Sequence, residues 1–167
     1  TVTDYIDIWI ESVNSPPSIA GPHMVVAYLD DPAGPLEIAG ITVADPDVND
    51  TSILDANGRY NYGRITLSLT VNYGKISLKS LRGLTVTGGS GLNDRYVQIE
   101  GTLADVNNAI DGLQYQCNTQ QACDSGLDTL TLHADDNGFT GAGGPKFFTK
   151  VIEVDVQVKF TADELYG

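Results

Sequence analysis

Oxygen-bearing side chains crowd one short stretch of this sequence, Asp45-Pro46-Asp47-Val48-Asn49-Asp50. Calcium takes six to eight oxygen ligands, and alternate carboxylates at a corner between a strand and a loop can converge on one ion. The helix–loop–helix calcium motif is excluded, because glycine is missing at its sixth position and its twelfth position is Ala56. The stretch therefore indicates oxygen-ligated cation binding of another kind.

Two further acidic turns have a similar composition. One contains Asp30 and Asp31, and the other reads Asp135-Asp136-Asn137-Gly138. Loops at one end of a β-sandwich cluster, so we expect these turns to meet the stretch that begins at Asp45. Each turn taken alone is better explained by aspartate and asparagine capping their own backbone. Taken together, on a chain with a net charge of −13, the three turns favour calcium.

The same net charge restricts the classes of partner. Twenty-two acidic residues stand against nine basic ones, and no basic cluster reverses the field locally. Such a charge opposes binding to nucleic acid or to an anionic membrane. No apolar run approaches the roughly 20 residues that span a bilayer. We therefore expect neither nucleic-acid binding nor direct membrane insertion.

Two cysteines, Cys117 and Cys123, are close enough in sequence to form a short disulfide loop, which the chain-entropy model values at roughly 2 kcal/mol. A zinc site needs four ligands, and neither histidine has a spacing to the cysteines that zinc motifs use. The spacing favours a disulfide over free thiols, and hence an oxidising, extracellular compartment. Asn49 also begins the only N-glycosylation sequon, Asn49-Asp50-Thr51.

Catalytic chemistry has little support in the sequence. No Gly-x-Ser-x-Gly nucleophile elbow is present, and carboxylates are too numerous to single out a glycosidase pair. We therefore predict that the protein is not an enzyme. Aromatic residues suggest a sugar-stacking platform as an alternative, although aromatic residues on strands more often pack: Tyr5, Trp9, Tyr60, Tyr62 and Tyr73.

Short alternating segments separated by turns predict the elements that position these residues. The segment from Arg64 to Val71 alternates cleanly, and a hairpin to Lys75–Leu78 is expected. A short helix is predicted from Thr102, which forms a capping box with Asp105. Many short strands and one short helix indicate an all-β fold, an immunoglobulin-like antiparallel β-sandwich.

The two ends of the chain share one pattern. Residues 3–10 and 149–156 both alternate β-branched and other residues, as half-buried strands do. Residues 1–13 are therefore predicted to be the terminal strand of a preceding repeat, or a donor strand that completes the open edge of another copy. The predicted division continues with a linker at 14–17, a sandwich at 18–160 and a linker or tail at 161–167.

In their order along the chain, these segments resemble the cadherin-like, immunoglobulin-like repeats of large extracellular surface proteins and adhesins. The resemblance covers the junction 13–17, the strand into the Asp-Pro-Asp corner at 36–47, the strands at 67–78, the helix and strand at 101–115, and the final strands and loop at 128–144. No single segment is specific, but their order and spacing together are.

The resemblance implies a spacer or adhesive module that calcium stiffens near the junctions between repeats. Together with the acidic stretch, it gives these candidate metal ligands: Asn14, Asp30, Asp31, Asp45, Asp47, Asn49 and Asp135. Ser15 and Pro16 replace the Asp-Ala that the family usually carries at the junction. The family also usually lacks cysteines in the stretch that corresponds to the Cys117–Cys123 loop.

The sequence thus predicts a structural or adhesive repeat of an extracellular fibrous or cell-surface protein, stacking end to end. Its expected partners are neighbouring repeats or copies of itself, together with surface glycans or cell-surface proteins. The alternative is a carbohydrate-binding module of a secreted protein, which requires exposed aromatic residues on one face.

Overall fold

The computed structural model describes residues 1–10, 12–48, 63–121, 123–138, 141–160 and 162–166. Its strands are β1 (Ser18–Ala20), β2 (Met24–Tyr28), β3 (Leu36–Ile38), β4 (Thr42–Ala44), β5 (Arg64–Val71), β6 (Lys75–Ser77), β7 (Thr85–Gly88), β8 (Tyr96–Thr102), β9 (Leu113–Gln116), β10 (Gly126–Asp135) and β11 (Phe147–Gln157). Its helices are α1 (Leu103–Ile110) and α2 (Ala162–Tyr166), with a 3₁₀ turn at Thr119–Gln121.

The strands form two layers. The first layer is a six-stranded sheet in the order β2-β11-β10-β5-β8-β7, and the second combines the sheet β3-β9-β6 with the pair β1-β4. Among the named strands, the β2–β11 pairing is parallel, with Val26 opposite Asp155, and the others are antiparallel. The predicted all-β sandwich is therefore confirmed, with one parallel pair and a second helix that the sequence did not indicate.

Alternate residues of both layers fill one core. Strand β5 buries every second side chain as its sequence pattern predicts, and β10 buries Leu130, Leu132 and Ala134. The second layer contributes Ile38, Ile76 and the whole of Tyr115 to the same cluster. Burial of these apolar side chains is the main source of stability for a fold of this kind.

The turn after β5 differs from the predicted hairpin. Strand β5 pairs with β10 and β8 in the first layer, whereas β6 pairs with β9 in the second. The buried carboxylate of Asp128 accepts the N–H groups of Asn72, Tyr73 and Gly74 at 3.0, 3.2 and 2.8 Å. The turn crosses between the layers at this point. Its N–H groups satisfy a carboxylate that would otherwise be costly to bury, and the carboxylate in turn holds the turn in place.

Helix α1 begins where the capping box predicts. The hydroxyl of Thr102 accepts the N–H of Asp105 at 3.2 Å and donates to the Asp105 carboxylate at 2.8 Å. Farther along the helix, the Asn107 side chain accepts the N–H of Val43 and donates to its carbonyl, both at 2.8 Å. This pair of bonds attaches the helix to β4, the strand that leads into the Asp45 corner.

The predicted disulfide between Cys117 and Cys123 is confirmed, with Cα atoms 5.6 Å apart and both residues buried. It closes the loop that follows β9. Neither helix in the described part of the chain has the length and apolar character needed to cross a membrane.

The amino-terminal segment lies outside both layers. Residues 1–10 form no strand, and their apolar side chains are exposed, with 85% of Ile6, 79% of Ile8 and 90% of Ile10 accessible to solvent. The predicted pairing of this segment with a preceding repeat or with another copy stays a prediction.

Replacing Tyr115 tests the buried network around Asp128. The Tyr115 hydroxyl donates to the Asp128 carboxylate at 2.7 Å, and burial, that hydrogen bond and the Asp128 charge all raise the pKa of Tyr115. We expect Tyr115→Phe to lower the free energy of unfolding by about 2 kcal/mol, since hydrogen bonds to charged groups contribute about 1.5–3 kcal/mol. Urea denaturation followed by circular dichroism measures the change.

The control is Tyr96→Phe, which removes an exposed hydroxyl that donates to Gln98 at 2.6 Å. We expect a loss below about 0.5 kcal/mol for this surface change. Equal losses for the two variants would contradict a stabilising role for the buried network.

Candidate functional site: the linker junction

The linker that precedes the sandwich is bound to the loop before β11. The N–H of Asn14 donates to the carbonyl of Ala142 at 2.8 Å, and the N–H of Ala142 donates to the carbonyl of Ser12 at 2.7 Å. Gly141 permits this approach, because a Cβ there would lie 2.5 Å from the Asn14 nitrogen, and its φ of +85° also favours glycine. The backbone of residues 12–14 is therefore fixed on the sandwich.

The Asn14 side chain extends the attachment into the protein interior. It is only 2% exposed, and its Nδ2 donates to Asp136 Oδ2 at 2.6 Å and to the Gly144 carbonyl at 2.9 Å. The next residue, Ser15, donates its N–H to Asp47 Oδ2 at 2.5 Å. The linker thus joins the Asp45 corner and the late acidic loop at one place, which we call the linker junction: Asn14, Ser15, Asp45, Asp47 and Asp136.

Negative charge accumulates at the linker junction. Asp45 is buried, and its Oδ1 accepts the N–H of Asp47 at 2.8 Å. Burial raises the pKa of the Asp45 carboxyl, the hydrogen bond from Asp47 opposes that rise, and the charges of Asp136 and Asp47 raise the pKa further. A bound cation would relieve this mutual repulsion, since an opposite charge favours the ionised form of a carboxyl.

The late loop contributes Asp136, whereas the predicted ligand was its neighbour Asp135. Asp136 is 2% exposed and accepts N–H groups from Gly138 and Lys146, each at 2.8 Å, besides the Asn14 amide. Asp135 is the last residue of β10, is half-buried, and accepts the N–H of Asn137 at 2.7 Å. Alternation along β10 gives the signal that was missed, because Asp136 has the same parity as the buried Leu132 and Ala134.

The first acidic turn lies at the opposite end of the sandwich. Strand β11 runs from Phe147, opposite Asp135, to Gln157, opposite Tyr28, and Asp30 lies two residues after Tyr28. We call the Phe147 side the junction end and the Gln157 side the far end. The expected meeting of all three acidic turns is therefore wrong in this respect, because β2 carries the first turn to the far end.

The two aspartates of this first turn have local structural roles. Asp30 accepts the N–H and the hydroxyl of Thr119 at 3.1 and 2.7 Å. Asp31 accepts the N–H of Ala33 at 2.9 Å and lies 3.5 Å from the Lys159 ammonium group. The remaining candidate, Asn49, lies outside the described residues, and so does its role as a glycosylation site.

The chemistry of the linker junction suits calcium, although its side chains are not arranged as a complete metal site. Three carboxylates and an amide oxygen are hard ligands of the kind that calcium prefers. Within the described ranges, however, no three His, Cys, Asp or Glu side chains form a group that could hold a metal ion. Calcium at the linker junction therefore stays a prediction.

The aromatic residues of the suggested sugar-stacking platform that the structure describes lie in different parts of the molecule. Tyr5 and Trp9 lie on the exposed amino-terminal segment, and Tyr73 lies in the turn beside Asp128. Tyr60 and Tyr62 fall outside the described residues. The sugar-binding alternative thus gains no specific support from the part of the chain that the structure describes.

Comparisons with known proteins give one weak structural likeness. The chain is similar to the crystal structure of AggA, the major subunit of aggregative adherence fimbriae type I from Escherichia coli, at 16% sequence identity. The similarity covers 89% of this chain and 100% of the AggA chain. The TM-score of 0.35 is too low to establish a common fold. No protein-family model and no curated protein matches the chain. The resemblance to cadherin-like repeats stays a prediction.

A charge placed at position 14 tests the linker junction. We expect Asn14→Asp to lower the free energy of unfolding in chelator by about 3 kcal/mol, because the variant loses two donated hydrogen bonds and opposes a carboxylate to Asp136. Urea denaturation measures the loss.

Asn108→Asp is the matched control, since it makes the same replacement at an exposed position of α1. We expect its effect to stay within about 0.5 kcal/mol. A similar small effect at position 14 would show that the linker junction contributes little to the fold.

Proposed function

We propose that this protein is a structural module of an extracellular fibrous or cell-surface protein, and that its linker junction fixes the direction in which the chain enters the sandwich. The observation that carries the proposal is the attachment of Asn14, which is bound through its backbone to Ala142 and through its side chain to Asp136 and Gly144. A flexible tether between units would need none of these contacts. A module that fixes its orientation relative to a neighbouring unit needs them.

Calcium is the second part of the proposal. Asp45, Asp47 and Asp136 would bind the ion with their carboxylates, and Asn14 would supply its amide oxygen. Bound calcium would provide positive charge at a place where burial and mutual repulsion already raise the pKa of Asp45. The ion would therefore strengthen the linker junction and restrict motion of the linker.

The remaining features fit this role. A buried disulfide is typical of proteins that fold in an oxidising compartment, which supports an extracellular location. The net charge of −13 keeps copies mutually repelling and soluble, so contacts between them must be specific.

Calcium titration of the full chain tests the proposal. Thermal unfolding at constant ionic strength should show a calcium-specific increase in Tm, equivalent to about 2.7 kcal/mol at a hundredfold excess over Kd. Amide hydrogen exchange at Asn14, Ser15 and Ala142 should slow in calcium, because the ion holds the linker to the sandwich.

Asp45→Asn is the most informative variant, since its effect on Tm should differ between chelator and calcium. In chelator, we expect an unchanged or higher Tm, because the variant removes a charge that Asp136 and Asp47 repel. In calcium, we expect most of the stabilisation to be lost. The control Asp30→Asn, at the far end, should keep the full calcium response. Equal responses in all three proteins, or an increase that sodium reproduces, would refute the site.

A further inference from the structure

The two layers are not closed along one side of the sandwich. Near the junction end, β1 pairs with β4 in the second layer, but after Gly21 and Pro22 the chain crosses and β2 pairs with β11 in the first layer. Strands β2 and β3 are therefore both edge strands in the far half. A cleft of about 270 Å³ lies between them, lined by Val26, Ala27 and Tyr28 of β2, by Leu36 of β3 and by Tyr115 of β9. We call this cleft the seam.

The edge of β2 at the seam presents backbone N–H and carbonyl groups that could bond to an added strand. The N–H of Glu153 donates to the His23 carbonyl and the N–H of Leu29 donates to the Gln157 carbonyl, so odd-numbered residues of this strand bond to β11. Because the bonding alternates in a parallel pair, the N–H and carbonyl of Val26 point to the free edge. No strand in the described ranges pairs with that edge.

Strand β2 itself carries no protection against pairing, although Asp31 and Glu37 also line the cleft. Strand β2 reads Met24-Val25-Val26-Ala27-Tyr28, without charge or proline. Natural edge strands are commonly protected by charged residues, proline, bulges or covering loops. The side chains of Val25, Leu29 and Leu36 beside the seam are only partly buried against the core. An additional strand would complete their burial.

The same chain carries a segment of matching pattern. Ile6, Ile8 and Ile10 alternate with Tyr5, Asp7 and Trp9 and are almost fully exposed. Placed beside β2, the three isoleucines would lie next to the inward-facing Val25, Ala27 and Leu29, which have the same period of two. Both partners thus expose apolar surface that the pairing would cover.

The two surfaces lie at opposite ends of the molecule. The amino-terminal segment joins the sandwich at the junction end, where Ser12 and Asn14 bond to Ala142, and the seam is in the far half. An interface between two different surfaces of identical chains repeats from head to tail, and it forms an open chain of subunits unless the rotation between copies closes a ring.

We propose that residues 4–10 of one copy insert into the seam of a second copy, as an added strand along β2, and so link copies head to tail. This inference extends the proposed function by naming the partner as a second copy and the contact as β-strand addition.

Two variants of the full chain separate donor from acceptor. Ile8→Asp places a charge in the donor segment, which lies outside the sandwich. Val26→Pro removes an outward N–H of β2 without removing a bond to β11, a position at which edge strands tolerate proline. Val2→Asp is the charge-matched control, since Val2 is exposed and precedes the donor segment.

Sedimentation velocity over a concentration series and Trp9 fluorescence are the measurements. Trp9 is the only tryptophan of the chain and is 94% exposed, so its emission should shift to the blue when the segment packs beside Val26 and Tyr28. We expect the wild-type protein and Val2→Asp to assemble into linear oligomers. Ile8→Asp and Val26→Pro should each raise the concentration of half-assembly by more than about tenfold.

Mixing the two defective variants gives the decisive result. Ile8→Asp retains an intact seam and Val26→Pro retains an intact donor segment, so an equimolar mixture should form one-to-one dimers that neither variant forms alone. Thermal unfolding of each variant verifies that its sandwich is folded.

Monomers at every concentration in the wild-type protein would overturn the inference, and so would oligomers that Val26→Pro leaves unchanged. Either result would leave the calcium response of the linker junction intact, because both variants retain Asp45, Asp47 and Asp136. The failure of this inference is therefore distinguishable from the failure of the proposed function.

Discussion

The register of strand β10 is the constraint on which the rest of the structure depends. The strand is paired on both sides, with β11 and with β5, so it cannot slip by one residue without exposing its core face. Its even-numbered side chains from Leu130 to Ala134 face the core, and the same alternation buries one aspartate before them, Asp128, and one after them, Asp136. Asp128 is satisfied by the turn that crosses between the layers. Asp136 accepts the Asn14 amide of the linker, besides the N–H groups of Gly138 and Lys146. One register therefore sets both the crossing and the place at which the linker binds.

Alternation in the sequence was sufficient to predict most individual strands and the start of α1. Strand β5 covers the predicted residues 64–71, and Thr102 caps the helix as its spacing with Asp105 indicates. The pairing of the strands was harder to predict, because a period of two shows which side chains share a face but not which neighbour the strand bonds to. The hairpin predicted after β5 failed for this reason, since the distant Asp128 carboxylate binds the Asn72–Gly74 turn.

The candidate site shows the same division between local and distant information. The Asp45 corner and the late acidic loop do approach each other, and Asn14 bonds to the late loop. Parity along β10 would have selected Asp136 over Asp135. The separation of Asp30 and Asp31 from the linker junction was not readable locally, because it results from the passage of the chain from β1 to β2 across the two layers.

The parallel pairing of β2 with β11 has a mechanical consequence. The chain enters the sandwich at the junction end and completes β11 at the far end, so tension applied through these two points runs along the strands. Hydrogen bonds between β2 and β11 lie across that direction, and the pull loads them together in shear instead of opening them one after another. A peeling load would break the same bonds at a much lower force. The crossing at Gly21 and Pro22 thus leaves one flank open and also gives β2 and β11 a geometry that resists extension.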